Sequence, residues 1–192
     1  MANVDLPIGL RPHGGFGSGA YNAGTMTFFM AAADGTACHI GSPVKLSGTA
    51  DPTGRYASVT SSVSAGDIVI GVMVGIEAPT QDATLYRVAS TDRYVRVAVD
   101  PQQLFECQED SVGSNLAITD VGLNVALTGF GTGNNTTGFS SVEIDSSSAA
   151  TTAGLDAKLI GLVPQVGNDI GTNANWLVLL QNHTFAGTKV GV

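Results

Sequence analysis

The residues best able to do chemistry lie close together in the stretch Leu85–Asp110, where arginines and carboxylates alternate with apolar residues. Its three clustered carboxylates belong to Glu106, Glu109 and Asp110. Paired carboxylates can act in glycoside hydrolysis, and carboxylate oxygens are ligands that Ca²⁺ prefers. Neighbours along a strand and its following turn point in different directions, however, and arginines stand nearby. The pattern therefore favours structural ion pairs. A hydrolase with Glu106 or Glu109 as its acid is an alternative that we rank third, after the two functions given at the end of this section.

The arginines of this stretch have two interpretations. Arg87, Arg93 and Arg96 are either partners of the three carboxylates within the chain or partners of acids on a neighbouring subunit. Arginine suits a subunit contact because its planar guanidinium can bind a carboxylate through two parallel hydrogen bonds. We expect changes at Arg93 and Arg96 to loosen either an oligomer or the strands that carry them.

Other catalytic patterns are missing from the sequence. No GxSxG or GxxxxGK motif is present, and after Gly17 and Gly19 the last glycine or alanine of a dinucleotide loop is replaced by Asn22, with no predicted strand before these glycines. No histidine has a second histidine three or four positions away, and neither cysteine belongs to a CxxC pair. The sequence therefore predicts no enzyme activity, no cofactor and no metal site. We expect Cys38 and Cys107 to be buried free thiols, although a disulfide between them stays open.

The elements that hold the charged stretch are predicted to be strands. In Tyr94–Val99 the valines alternate with Tyr94, Arg96 and Ala98, which indicates one buried and one wetter face. Pro101 ends this strand because proline lacks an N–H for pairing, and Leu104–Gln108 begins the next. The sequence predicts a hairpin-like pair in which charges meet across the strands.

The whole chain is predicted to form about ten short strands separated by turn residues, with no amphipathic helix longer than two turns. Ile68–Ile76 is the longest β-branched run and is predicted to be the central strand, with a bulge or close backbone approach at its glycines. Lys158–Val163 and Trp176–Leu180 are further predicted core strands. The pattern indicates an all-β fold, a single-domain β-sandwich or β-barrel with long loops and an extended N-terminal arm.

The domain boundaries follow from composition. Residues 1–24 are rich in glycine and proline with regularly spaced apolar residues, which is typical of an extended arm that docks on a partner or of a self-packed terminus. Residues 25–192 form the single β domain. Within it, residues 129–155 are a Gly/Ser/Thr-rich loop region that includes one exposed strand at 139–144.

Charge excludes several classes of partner. The chain of 192 residues has a formal net charge of −8, which disfavours nucleic acid and an anionic membrane surface. It contains no apolar run long enough to cross a bilayer and no signal peptide, so we expect it to remain where it is translated or in a particle assembled there. Only 12% of its residues are charged, about half the usual fraction, which favours assembly with other proteins.

Two segments carry a resemblance to a known family. RYVRVAVDPQQLFECQED and LIGLVPQVGNDIGTNANWLVLLQNH, together with the early GLRP, resemble head decoration or capsid cement proteins of tailed bacteriophages. The resemblance implies a β-rich protein, commonly a homotrimer, that binds the outside of an icosahedral capsid and bridges its capsomers. Its partners would be the major capsid protein and itself, and it would be made in the cytoplasm of the bacterial host before joining the virion surface.

This interpretation predicts which residues make contacts. We expect the capsid or a sister subunit to be contacted by Val4, Leu6, Pro7, Ile8, Leu10, Arg11, Phe16, Arg93 and Arg96. The second interpretation is a head-to-tail or tail component of a phage particle, such as a receptor- or sugar-binding module.

Overall fold

The computed structural model describes residues 3–15 and 20–186, and it confirms the predicted all-β class. The strands are β1 (Arg11–Gly15), β2 (Met26–Met30), β3 (Pro43–Ala50), β4 (Ala57–Thr60), β5 (Gly71–Ile76), β6 (Arg93–Ala98), β7 (Gln103–Gln108), β8 (Asn124–Val125), β9 (Leu127–Thr128), β10 (Glu143–Ile144), β11 (Ala157–Leu162) and β12 (Asn175–Leu180). Ile118–Asp120 forms a 3-10 turn, and Ala117, the residue before it, donates its N–H to Asp120 Oδ2 at 2.8 Å. Within the described ranges, no helix has the length and hydropathy needed to cross a membrane.

Five strands close a barrel in the order β2-β4-β3-β5-β6. All neighbours are antiparallel except β2 and β4, where Phe29 lies opposite Ser58 in a parallel pair. The inward valines of β6, Val95 and Val97, are fully buried in the barrel, as their alternation predicts. They pack with Phe28, Met30, Cys38, Val44, Val59, Ile70 and Met73.

A second antiparallel sheet has the order β1-β7-β12-β11-β8, and it brings the two predicted core strands together as β11 and β12. The short pair β9-β10 lies beside it, and Ile144 of β10 belongs to the same core. The predicted strand at 139–144 is therefore shorter than expected and has a buried side chain. This core includes Leu10, Phe105, Cys107, Leu159, Trp176 and Val178.

Strand β5 lies between the two cores and contributes side chains to both. Met73 packs into the barrel, whereas its neighbour Val72 packs into the sheet core. A strand with both faces buried has to be apolar at successive positions, which accounts for the long β-branched run. Gly71 has φ +152° and lies where an added Cβ would be 2.0 Å from the Ala98 carbonyl oxygen, and the register shifts at Met73/Gly75. The predicted close approach and bulge are confirmed.

The predicted hairpin of β6 and β7 is wrong. Strand β6 pairs with β2 and β5 in the barrel, whereas β7 pairs with β1 and β12 in the sheet. The turn at Asp100 and Pro101 carries the chain from one sheet to the other, and Gln103 N donates to Asp100 O at 3.0 Å. Ala98, expected on the wetter face of β6, is buried because it packs into the sheet core. Alternation in a sequence identifies a buried face but not the strand that lies alongside.

The two cysteines are free and buried, one in each core. Burial raises the pKa of Cys38 to about 12 and raises the pKa of Cys107 further, because a thiolate loses its hydration inside an apolar core. The expectation of two buried free thiols is confirmed.

Candidate interaction surface

Residues 3–15 do not stand apart from the β domain. Strand β1 pairs with β7, with Arg11 opposite Glu106, and Leu10 is only 1% exposed. The register of this pair shifts between Pro12 and Gly14, so the Gly/Pro-rich composition permits a short, irregular edge strand. The structure thus differs from the predicted extended arm in this part of the chain.

The side chain of Gln108 holds the start of the N-terminal segment. Its Oε1 accepts a hydrogen bond from Leu6 N at 2.9 Å, and its Nε2 donates to Val4 O at 2.8 Å. The same Nε2 donates to Asn173 O at 2.9 Å. One glutamine at the end of β7 therefore joins the N-terminal segment to the loop that precedes β12.

Asn3 makes a second connection to that loop. Its Nδ2 donates to Asp169 O at 2.8 Å and to Thr172 O at 2.9 Å, while Asp169 N donates to Asn3 Oδ1 at 3.1 Å. These bonds use backbone groups that would otherwise need water. We call the surface formed by residues 3–12 and the loop 163–174 the N-terminal face.

The N-terminal face exposes large apolar side chains. Val4 is 74% exposed, Leu6 is 66% exposed and Val166, in the adjoining loop, is completely exposed. A pocket of about 260 Å³ lies beside Val4 and Leu6 and is also bordered by Gln108 and Gly167. Contiguous exposed apolar side chains with a polar surround are typical of protein–protein contact sites.

Arg11 lies between this pocket and a second one, because it lines both. Its Nη2 forms an ion pair with Glu106 Oε2, whose side chain is almost fully buried. A buried carboxylate requires such a partner because an isolated charge in a protein interior is costly. The guanidinium is thus fixed in place while a little over half of the Arg11 side chain, 56%, remains exposed.

The second pocket is more apolar and has a volume of about 240 Å³. Ile8 and Leu10 line one part of it, and Ile40, Val74 and Phe139 line another. It therefore lies where the N-terminal segment meets the barrel wall and the 129–155 region.

Tyr21 also lines this second pocket, and its hydroxyl has an unusual environment. The oxygen is buried and has no hydrogen-bond partner. Burial raises the pKa of Tyr21, because the phenolate would lose its hydration. A neutral O–H donor without an acceptor costs about 1–3 kcal/mol.

A group of carboxylates lies beside the N-terminal face. Asp110 N donates to Ile144 O at 2.9 Å, which places the end of β7 beside β10 and its Glu143. Desolvation, followed by the charges of Asp5 and Asp110, raises the pKa of Glu143 to about 7. The carboxylates of Asp5, Asp110 and Glu143 therefore lie near one another beside the N-terminal segment.

The structure brings four of the predicted contact residues together. Val4, Leu6, Ile8 and Arg11 line the pocket at the N-terminal face, and Pro7, between them in sequence, is partly exposed. Leu10 lines the second pocket but is otherwise part of the sheet core, so its main contacts are within the chain. Phe16 lies outside the described residues.

Arg93 and Arg96 are on the barrel, and their partner is Glu77. Arg96 Nη2 lies 3.6 Å from Glu77 Oε1, and Arg93 Nη1 donates to Glu77 O at 3.4 Å. The predicted pairing of these arginines with Glu106, Glu109 or Asp110 is wrong because β6 and β7 belong to different sheets.

The three carboxylates of the charged stretch have separate structural partners. Glu109 is fully buried and accepts hydrogen bonds from Leu116 N and Trp176 Nε1. Asp110 Oδ1 accepts from Val112 N, and from Ser146 N and Oγ. Among the described residues, no three metal-ligating side chains come together in a cluster.

Sequence reasoning missed the residues that build this surface, namely Asn3, Gln108 and Tyr21. A local signal for Gln108 did exist, because Glu106 and Gln108 give β7 a polar face where a central strand would be apolar. Buried polar side chains need hydrogen-bond partners, so this face indicates that another segment of the chain packs over it. The partners of Asn3 and the orphaned hydroxyl of Tyr21 depend on long-range packing and leave no local pattern.

A comparison of the chain with protein-family models, curated proteins and solved structures finds no match.

Proposed function

We propose that the chain is a structural virion protein that binds the outside of an icosahedral phage capsid and stabilises it by bridging capsomers. The observation that carries the proposal is the N-terminal face. Val4 and Leu6 are exposed although the backbone at both residues is hydrogen-bonded to Gln108. Exposed apolar side chains on a backbone that is fixed by hydrogen bonds are suited to burial by another protein.

Capsid reinforcement matches this surface physically. Many identical contacts repeated by symmetry can stabilise a shell even when each contact is weak. A segment that is already held in place loses little conformational freedom on binding, so more of the burial energy contributes to affinity. The partner on the N-terminal face is the major capsid protein.

Self-association as a homotrimer is the second part of the proposal. Arg96 is suited to it because its side chain is 55% exposed and its ion pair with Glu77 is long, which leaves guanidinium donors for a sister subunit's carboxylate. Sedimentation equilibrium of the isolated chain measures this directly. A monomer at all concentrations would contradict the trimer.

The capsid contact is tested with phage heads that lack this chain. We expect the chain to co-sediment with the heads in many copies, and a Val4→Ser, Leu6→Ser double variant to bind at least about tenfold more weakly, because two apolar contacts are lost. Ile68→Ser is the matched control, since Ile68 is 47% exposed but lies outside the N-terminal face. Equal binding by the double variant and the control would remove the N-terminal face from the mechanism.

Substitution is a better test than deletion of residues 4–16. Such a deletion would remove β1 and Leu10, which belong to the sheet and its core. Electron microscopy of decorated heads tests the wider proposal, because density only at the tail vertex would favour a head-to-tail or tail component.

A further inference from the structure

The ion pair between Arg11 and Glu106 leaves one carboxylate oxygen without a partner. Arg11 Nη2 binds Glu106 Oε2, whereas Glu106 Oε1 has no hydrogen-bond partner among the described residues. Those side-chain atoms of the described residues that lack a partner and are sealed from solvent belong to other residues, so Glu106 Oε1 is accessible. Because Glu106 lines the pocket at the N-terminal face and only 5% of its side chain is exposed, that pocket gives access to the oxygen.

Arg11 has further hydrogen-bond donors at the same pocket. A guanidinium carries five N–H groups, and within the described ranges Nη2 is the only nitrogen of this side chain with an acceptor. Arg11 lines the pocket together with Glu106, and its side chain is more than half exposed. A donor and an acceptor are therefore available side by side at one place.

The charges of the pair decide which class of group it can bind. A lysine would be attracted by Glu106 but repelled by Arg11, and a carboxylate would be attracted by Arg11 but repelled by Glu106. A neutral carboxamide avoids both repulsions, because its carbonyl oxygen can accept from Arg11 while its N–H donates to Glu106 Oε1. A hydroxyl has its donor and its acceptor on one atom, whereas a carboxamide has them on two neighbouring atoms, as the ion pair does.

The rest of the pocket suits the aliphatic part of a glutamine side chain. Val4, Leu6 and Ile8 line the pocket, so methylene groups next to the amide would be buried against apolar atoms. The volume of about 260 Å³ is below the roughly 300–1,000 Å³ of typical small-molecule sites, which favours a side chain over a whole small molecule. Gln108 does not compete for the ion pair, because both ends of its amide are bonded to Val4, Leu6 and Asn173.

We infer that the pocket at the N-terminal face binds a glutamine side chain of the capsid subunit, with the carboxamide bonded to both Arg11 and Glu106 Oε1. Glutamine is favoured over asparagine because the Glu106 side chain is almost fully buried and the longer side chain reaches it. The capsid as the source of the glutamine rests on the proposed function. Val4 and Leu6 belong both to the pocket lining and to the exposed apolar surface, so one partner can cover both.

The chemistry of the pocket is tested with capped tripeptides and methyl NMR of the full chain. We expect a leucine–glutamine–leucine peptide to shift the methyl signals of Val4, Leu6 and Ile8. Peptides with methionine, glutamate or lysine in place of the glutamine should bind about 2- to 10-fold more weakly, which corresponds to the loss of one hydrogen bond. Methionine lacks the amide, and each charged side chain meets a like charge in the pair. Equal binding of the glutamine and methionine peptides would overturn the inference.

Glu106→Gln tests the role of the ion pair through specificity. The variant leaves the Arg11 charge without its counter-charge, so the preferred peptide should change from glutamine to glutamate. Asp67→Asn is the matched control, because it changes the net charge by the same amount but affects a different ion pair, that of Asp67 with Lys45. Its preference for the glutamine peptide should remain.

The variant at Glu106 is milder than removal of Arg11, which would leave a buried carboxylate unpaired. If Glu106→Gln nevertheless fails to fold, the order of the four peptides with the parent chain decides. An unchanged preference in folded Glu106→Gln, or the same change of preference in Asp67→Asn, would overturn the inference.

Phage heads separate this inference from the proposed function. We expect Glu106→Gln to bind heads about 2- to 10-fold more weakly than Asp67→Asn does. If the chain binds heads and these two variants bind them equally well, the pocket inference is overturned and the proposed function stands. If the chain binds no heads, the proposed function and the capsid source are overturned, and the peptides alone decide the chemistry of the pocket.

Discussion

Trp176 donates its indole N–H to Glu109 Oε2 over 3.2 Å, and both side chains are fully buried. The same carboxylate oxygen accepts from Leu116 N at 2.9 Å. Glu109 N donates to Ala174 O at 3.0 Å, so backbone and side chain together connect the end of β7 to the start of β12. This glutamate organises the loops behind the N-terminal face.

Glu109→Ala should reduce the free energy of unfolding by about 2–4 kcal/mol, because the N–H groups of Trp176 and Leu116 would both be buried without an acceptor. Glu109→Gln keeps one carbonyl oxygen and should cost less. Urea unfolding followed by tryptophan fluorescence measures both. Equal stability of Glu109→Ala and the parent would contradict this structural role.

Burial also raises the pKa of Glu109, and this predicts a pH dependence. Because the folded-state pKa lies above the unfolded-state pKa, the folded chain binds more protons between the two values. The contribution of Glu109 to stability is therefore complete at low pH and is lost as the pH rises through its folded-state pKa. Glu109→Gln should remove that decline from a plot of unfolding free energy against pH.

Arg87 is the buried cation on which one end of the barrel depends. Its side chain is 0% exposed and donates to Thr91 O, Thr36 O and Ala31 O at 2.9, 2.6 and 2.7 Å. Asp34 Oδ2 lies 3.9 Å from its Nη1. Arg87→Met should cost about 3–5 kcal/mol, because the three carbonyls lose their donor and Asp34 its counter-charge. Arg55→Ala, an exposed control outside the proposed contacts, should cost less than about 1 kcal/mol by the same urea unfolding.

Local patterns predicted the strands well but not their partners. The alternation around Val95 and the apolar run through Val72 reflect contacts within one strand, and each is read correctly from neighbouring residues. Glu106, by contrast, finds its cation in Arg11, 95 residues away, and not in the arginines nearest in sequence. Arg87 likewise bonds to Ala31 and Thr36, more than fifty residues upstream. Ion pairs form wherever packing brings charges together, so spacing along the chain does not identify them.

The candidate surface was only partly predictable for the same reason. Regularly spaced apolar residues identified Val4 and Leu6 as candidates for contact. Their hydrogen bonds with Gln108 and the position of the loop 163–174 beside them both result from the sheet order.

Glu143→Gln should stabilise the chain at pH 8. Glu143 has a folded-state pKa of about 7 against an ordinary 4.5, so its ionisation opposes folding increasingly as the pH rises from about 4.5 to above 7. The neutral amide removes the cost of desolvating a charge, which is the main cause of the raised pKa, and also the repulsion from Asp5 and Asp110. Because solvent screens this partly exposed site, the expected gain is reduced to the order of 1–2 kcal/mol at pH 8, with almost none at pH 4.5. Asp5→Asn should give a smaller gain in the same direction. An equal effect of Glu143→Gln at both pH values would contradict the role of charge.

His183 should have the opposite pH dependence. Its side chain is fully buried, and its Nδ1 accepts a hydrogen bond from Phe185 N at 3.1 Å, which requires the neutral ring to leave that nitrogen unprotonated. Burial lowers the pKa of His183 below its ordinary 6.5, because the imidazolium would lose its hydration. The stabilisation is therefore complete above about pH 6.5 and is lost as the pH falls below it, by up to about 1.4 kcal/mol per pH unit.

His183→Asn separates this titration from packing. The asparagine amide oxygen can accept the same i+2 backbone N–H in an Asx-turn, but it does not titrate. We expect the variant to be less stable than the parent at pH 7.5, since the smaller side chain leaves space in a buried site, but to lose less stability between pH 6.5 and pH 5. Thermal unfolding at pH 7.5, 6.5 and 5 measures the difference. Parallel curves for parent and variant would show that protonation of His183 does not limit stability in acid.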